Sequence, residues 1–270
     1  MNHEPRAILI TSDQLRHRCA AARLARAVNL VGIISEAKAA NVSAPLAPSP
    51  EEQAVFAQHF AERDAVERRF FGAQPSFPDT EILTVAHGES NGLPVFEWAQ
   101  ARQPEIVLLY GSSIIKAPLL EAYDGKIVNL HLGLSPYYRG SGTNFWPLAH
   151  REPECVGATI HLAVLRVDAG AVLAQVRPAP EASDRAHELG TKTIIAALDA
   201  MPRVLELYLS GQITPQPQRL DRGRVFKQKD FHAAAVRQMW QHFDTGMMPE
   251  FLAESAGRYQ RYPILELASN

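Results

Sequence analysis

Apolar residues come in short runs separated by longer stretches in which apolar and charged positions alternate at helical spacing. The runs are Ala7–Ile10, Leu30–Ile34, Ile82–Val85, Ile106–Leu109 and Ile127–Leu130, each four or five residues long. Runs of this length fit buried strands, and the intervening segments fit amphipathic helices. The reading gives a strand over 6–11, then a helix to about Val28 with Asp13 able to cap it, and a strand over 30–34. Ala37–Pro50 is rich in Ala, Pro and Ser and is expected to be a loop. Residues 51–71 form a long helix in this reading, with Val55, Phe56, Phe60, Val66, Phe70 and Phe71 among many charges. It is either an amphipathic crossover with a solvated face or a wall for a substrate.

Further on, strands are expected over 81–85, 106–109 and 127–130, with helices over 94–101 and 116–123. Two more apolar strands, 158–165 and 171–176, flank a turn carrying Asp168 and Gly170. A long helix follows over 184–209, with Pro202 positioned to bend or split it. Strands alternating with helices predict an α/β fold: a Rossmann-like, mostly parallel sheet with flanking helices and a small C-terminal extension. The expected division is 1–210 for the catalytic domain and 211–270 for the extension, a hairpin plus a helix over 231–243. Thr214–Gln218 reads as a linker. The cations Arg219, Arg222, Arg224, Lys227 and Lys229 read as the solvated edge of the hairpin or as contacts to a phosphorylated ligand.

Composition narrows the class. The chain has 270 residues, 46% of them hydrophobic, a net charge of −2 and two cysteines. That allows a substantial core, gives no global field toward nucleic acid or membrane, and makes no disulfide framework. The polar start and the lack of any long apolar run lead to the expectation of a cytoplasmic protein with no membrane partner. The histidines make no metal set. His59 and Glu62 lie one helical turn apart without a third ligand, so no metal is expected. Cys155 reads as buried packing, and Asn41-Val42-Ser43 as a glycosylation sequon without use in a cytosolic chain.

The candidate chemistry lies in Asn129–Pro147, N-L-H-L-G-L-S-P-Y-Y-R-G-S-G-T-N-F-W-P. Asn129 and His131 sit at i and i+2 of a strand end and point to one face. The carboxyl end of such a strand is where open α/β sheets bind ligands. An amide beside an imidazole suits a reaction in which a carbonyl oxygen becomes negative. Asp168 could reach His131, orient it and favour its protonated form.

The Asn-x-His strand end, the Leu134-Ser135-Pro136 loop with Arg139-Gly140, and the strand–Asp168-x-Gly170–strand unit resemble the formyltransferases that use 10-formyltetrahydrofolate. That family includes glycinamide ribonucleotide transformylase, methionyl-tRNA formyltransferase and the sugar N-formyltransferases. The similarity extends over about residues 6–205. It implies Asn129, His131 and Asp168 as catalytic residues. It also implies a pterin pocket at Leu109, Tyr110, Gly111, Ser112, Ile114, Ile115, Ser135, Pro136 and Val167. The acceptor would meet Tyr137, Tyr138, Arg139, Gly140, Ser141, Thr143 and Asn144, part of a Gly-rich loop able to cradle a phosphate or cover the site. Trp146 reads as core packing.

Thr11-Ser12-Asp13-Gln14 lacks glycine where the ribonucleotide transformylase holds its phosphate, and it adds a negative charge. The expected activity is therefore formyl transfer from 10-formyltetrahydrofolate to a primary amine, foremost a nucleotide-linked amino sugar or another biosynthetic amine. The same residues leave open a formyltetrahydrofolate hydrolase, a methionyl-tRNA formyltransferase-like enzyme and a silent folate binder. The expected partner is a small-molecule amine, with no nucleic acid and with a homodimer compatible with the architecture.

Overall fold

The computed structural model describes residues 4–38, 49–72 and 75–267. Most of the expected Ala/Pro/Ser loop, and with it the Asn41 sequon, lies outside the described residues.

The alternation of short apolar runs and helical segments folds as expected. Strands β1 (Arg6–Thr11), β2 (Asn29–Glu36) and β3 (Ile82–Val85), then β4 (Ile106–Leu109) and β5 (Ile127–His131), run parallel. Strand β6 (Tyr138–Gly140) stands outside this sheet, whereas β7 (Ala158–Leu162) and β8 (Val172–Val176) complete it antiparallel to their neighbours. The spatial order is β3-β2-β1-β4-β5-β7-β8. The chain first builds outward from β1 through β2 and β3, then returns to build the other side from β4. The crevice at that reversal, beyond the carboxyl ends of β1, β4 and β5, is the natural ligand site of such a sheet. Ile8, Leu9, Ile10, Ile33, Ile34, Ile106, Val107, Leu108 and Val128 are all buried, as central strands covered on both faces require.

Helix α1 (Leu15–Leu24) is shorter than expected, and Gln14 rather than Asp13 holds the cap position, without a side-chain cap. Bonds from Arg26 N–H to Arg23 O and from Ala27 N–H to Leu24 O form the turn that feeds Val28 into the core and leads into β2. Helix α2 (Pro50–Phe71) is the long helix predicted. Ser49 caps it by accepting from Glu52 N–H, Pro50 opens it, and Glu51 and Glu52 precede Arg68 and Arg69 along its dipole. It buries Val55 and Phe56 against Ala233 and Val236 of the C-terminal segment, and Phe71 packs on the main core. The crossover reading accounts for this packing.

Helix α3 (Leu93–Ala101) matches expectation, but α4 (Leu119–Ala122) is a single turn. Pro118 disfavours helical backbone before itself and lacks an N–H, so a helix from Lys116 does not form. A short α5 (Trp146–Ala149) precedes β7, and α6 (Ala186–Leu209) continues through Pro202 as one helix. The strand expected to reach Leu165 stops at Leu162; beyond it Ala163 and Val164 face a cavity and Leu165 is exposed.

The C-terminal segment departs from a hairpin plus one helix. Strand β9 (Arg224–Phe226) pairs in parallel with β6, and two helices follow, α7 (Ala233–Asp244) and α8 (Met247–Arg261). Their Met239, Met247, Met248 and Phe251 share one buried cluster with Tyr138, Trp146, Leu148 and Cys155. The ion pair of Arg258 with Glu154, at 2.7 Å and nearly buried, ties α8 to the same body. Among the described residues no helix is long and apolar enough to cross a membrane.

Candidate active site

A cavity of about 700 Å³ opens at the sheet reversal. Its lining includes Leu109 to Ile115 after β4, Asn129 and His131 of β5, Gly140 to Phe145, and Ala163, Val164, Val167 and Asp168 from the loop between β7 and β8. Ile114, Val164 and Val167 are exposed large apolar side chains in this lining, an apolar face left uncovered by the described residues.

Asn129 and His131 are brought to the cavity by the period of β5, as the sequence indicated. The antiparallel partner β7 places His161 directly opposite Asn129. His161 Nδ1 lies 2.8 Å from the Leu162 carbonyl, which only accepts, so Nδ1 carries the hydrogen. Nε2 is left to accept from the Asn129 amide at 3.0 Å. One N–H of Asn129 is thereby fixed and the other remains available. His161 went unassigned in the sequence: a histidine within an apolar strand carries no signal until the register of β5 and β7 is known.

Asp168 sits on its turn with a left-handed φ of 47°. Its Oδ1 stands 3.4 Å from His131 Nδ1 and 3.8 Å from His161 Nε2, and its Oδ2 accepts from Gly140 N–H at 2.9 Å. Burial alone would raise the carboxyl, but the two imidazoles and the Gly140 amide outweigh it and hold Asp168 at about 2. It is ionised throughout the neutral range. For His131 the balance goes the other way. Burial pushes it down, Asp168 pulls it up, and the net position is below the ordinary value for histidine. Asp168 thus favours the protonated form, as expected, but burial outweighs it, so in the resting site the imidazole is mainly neutral at neutral pH. His131 Nε2 is buried without a hydrogen-bond partner among the described residues.

Of the residues the resemblance assigns to donor and acceptor, Leu109, Tyr110, Gly111, Ser112, Ile114, Ile115, Val167, Gly140, Ser141, Thr143 and Asn144 line this cavity. It does not include Ser135, Pro136, Tyr137, Tyr138 or Arg139. Ser135 is buried behind it, its N–H donating to Thr159 Oγ1 at 2.9 Å and its carbonyl accepting from Gln175 at 2.6 Å. Pro136 belongs to the same buttress, its carbonyl so close to Gly223 that a Cβ there would collide. Tyr137 donates to the Pro263 carbonyl at 2.7 Å, and Tyr138 is core, stacked on Phe226 and bonded to Glu152. Arg139 is buried. Tyr137 and Tyr138 are thus taken up by the C-terminal segment, and the five residues support the loop from behind.

The sequence reading missed Arg16, His17 and Lys38 in the lining, together with Phe226 and Gln228 from the C-terminal segment, whereas Lys227 belongs to the basic run it had weighed as a ligand contact. Lys38 bonds the Gly111 carbonyl, and burial and Arg16 push its ammonium down to about 8. Arg16 pairs with Glu67 of α2 at 2.6 Å. Among the described residues no group of three or more His, Cys, Asp or Glu could hold a metal ion.

Residues 88–205 match the family model for formyl transferase. A methionyl-tRNA formyltransferase from Synechococcus sp. (strain JA-3-3Ab) is 29% identical over 171 residues, covering 57% of this chain and 51% of that protein. The chain thus spans about half the length of this curated relative. Among solved structures, glycinamide ribonucleotide transformylase 1 from Symbiobacterium toebii aligns with a TM-score of 0.55 at 18% identity, covering 81% of this chain and 95% of that one. The formyltransferase PseJ from Anoxybacillus kamchatkensis, in complex with UDP-4,6-dideoxy-4-formamido-L-AltNAc and tetrahydrofolate, aligns at 0.51 and 14% identity, covering 87% and 97%. At these identities the structural likeness concerns the fold. Asn129, His131, His161 and Asp168 all fall within the segment that matches the formyl transferase family model.

Proposed function

We propose that the protein transfers a formyl group from 10-formyltetrahydrofolate to the primary amine of a small molecule, foremost a nucleotide-linked amino sugar. The observation that carries this reading is the convergence of Asn129, His131 and Asp168 on one cavity at the sheet reversal. The exposed apolar residues Ile114, Val164 and Val167, next to the backbone of Gly111–Ser113, suit a flat heteroaromatic ring with polar edges.

When a neutral amine attacks the formyl carbon, negative charge develops on the formyl oxygen. The free N–H of Asn129 is a preorganised donor for that charge, and such a donor contributes about 3–4 kcal/mol. His131 rests neutral, so it gains a proton most readily as negative charge appears beside it. Asp168, ionised and 3.4 Å away, stabilises the imidazolium at that moment. The proton leaving the attacking nitrogen can return through this pair to the departing folate nitrogen. Arg16, Lys38 and Lys227 supply cations in the same lining, which suits an acceptor carrying phosphate groups.

His131→Ala and Asp168→Ala test the assignment. Each is expected to lower turnover by about 10²-fold or more with folate binding nearly intact, because both act in the transition state. Turnover like that of the wild type in either variant contradicts it.

A further inference from the structure

Asp168 is held from outside the family-matched segment. The matched residues end at 205, yet Gln218 reaches back and donates its one amide nitrogen to two carbonyls of the catalytic turn, Asp168 O at 3.0 Å and Gly170 O at 2.6 Å. Two residues earlier, Gln216 exchanges both backbone bonds with Val172 at 2.8 Å each, so the segment read as a linker is laid along the start of β8.

The turn needs such support. Asp168 adopts a left-handed φ of 47°, a conformation that is less favourable than the ordinary regions for a non-glycine residue, though aspartate tolerates it better than most. Gly170 is wedged beneath β7, where a Cβ would strike the Leu162 carbonyl. Those contacts fix the far end of the turn and leave the Asp168 and Gly170 carbonyls pointing to the same place. A neutral carboxamide supplies two N–H groups there without adding charge. A lysine or arginine would compete with His131 for the Asp168 carboxylate, and a carboxylate would repel both carbonyls. The second hold on Asp168, Gly140 N–H on Oδ2, depends on the same segment, because Gly140 pairs with Phe226 of β9 and the Ser141 N–H donates to the Phe226 carbonyl at 2.9 Å.

We infer that Gln218 is a positioning residue for the reaction: by clamping the Asp168 turn it sets the distance between Asp168 and His131, and so the protonation of His131. The consequence for turnover rests on the proposed function, whereas the coupling to His131 does not. The test uses the full chain with histidine ring carbons labelled. In Gln218→Met, which keeps the volume and removes both donors, the His131 titration midpoint falls below that of the wild type, because the pull of Asp168 weakens. Turnover drops about tenfold or more while the Michaelis constant for the formyl donor stays within about twofold. Gln218→Glu is a second variant with the same length: turnover relative to wild type is lowest at neutral pH and recovers on acidification, as the protonated carboxyl regains a donor. A folded variant with an unmoved His131 midpoint overturns the clamp, even if its melting temperature falls. A shifted midpoint in a protein whose wild type transfers no formyl group leaves the clamp standing and removes the functional reading instead.

Discussion

His161 Nε2 accepts the Asn129 amide at 3.0 Å across the antiparallel pair of β5 and β7, and this contact decides which face of the amide is free for a substrate. His161→Leu is therefore expected to lower turnover about tenfold, and Asn129→Ala by about 10²–10³. The double variant should be slower than Asn129→Ala alone by much less than tenfold, since His161 acts mainly through the amide and only secondarily on Asp168. Steady-state kinetics on the three variants checks this.

The titration of His131 follows from the balance of burial and Asp168. Its midpoint is expected below the ordinary value of about 6.5 in the wild type and lower still in Asp168→Asn, because the contribution of Asp168 raises it. A midpoint that rises in Asp168→Asn would contradict the electrostatic account.

Acid stability has a separate source. Burial pushes His59 down to about 3 and His187 to about 4, with their rings 4.6 Å apart between α2 and α6. Both are neutral in the fold and take up protons on unfolding. Stability should therefore be fully present above about pH 6.5 and fall as the pH drops toward 4. Denaturant unfolding across that range measures it, and His187→Phe should flatten the slope.

Gly140 has a φ of 92° and lies against β9, where a Cβ would meet the Phe226 carbonyl. Gly140→Ala should cost about 1–3 kcal/mol and also reduce turnover, because its N–H is a hold on Asp168. Unfolding and kinetics on the same preparation separate the two effects. Phe71→Ala makes the opposite case. Phe71 packs on the core and does not line the cavity, so about 2 kcal/mol of stability should be lost with the acceptor Michaelis constant unchanged.

The parallel strands and the Asn129–His131 pair were legible because a buried strand shows its apolar run and its period of two locally. The stretch 163–165 was misread for the same reason: Ala163, Val164 and Leu165 look like strand, but Ala163 and Val164 face the cavity, as does Val167, which the resemblance had placed there. His161 depended on the register between β5 and β7, and Lys38 on where β2 ends. Gln218 lay in a stretch whose composition signals a linker, and its two bonds reach across 50 and 48 positions. Long-range pairing of this kind leaves no periodic trace in the chain.

The most direct test of formyl transfer is to incubate the protein and its His131→Ala variant with 10-formyltetrahydrofolate and a pool of amines that includes nucleotide-linked amino sugars. Mass spectrometry then reads the products. The expected result is an amine heavier by one formyl group with the wild type and almost none with His131→Ala. Formate and tetrahydrofolate with no formylated amine, or equal product from both proteins, would contradict it.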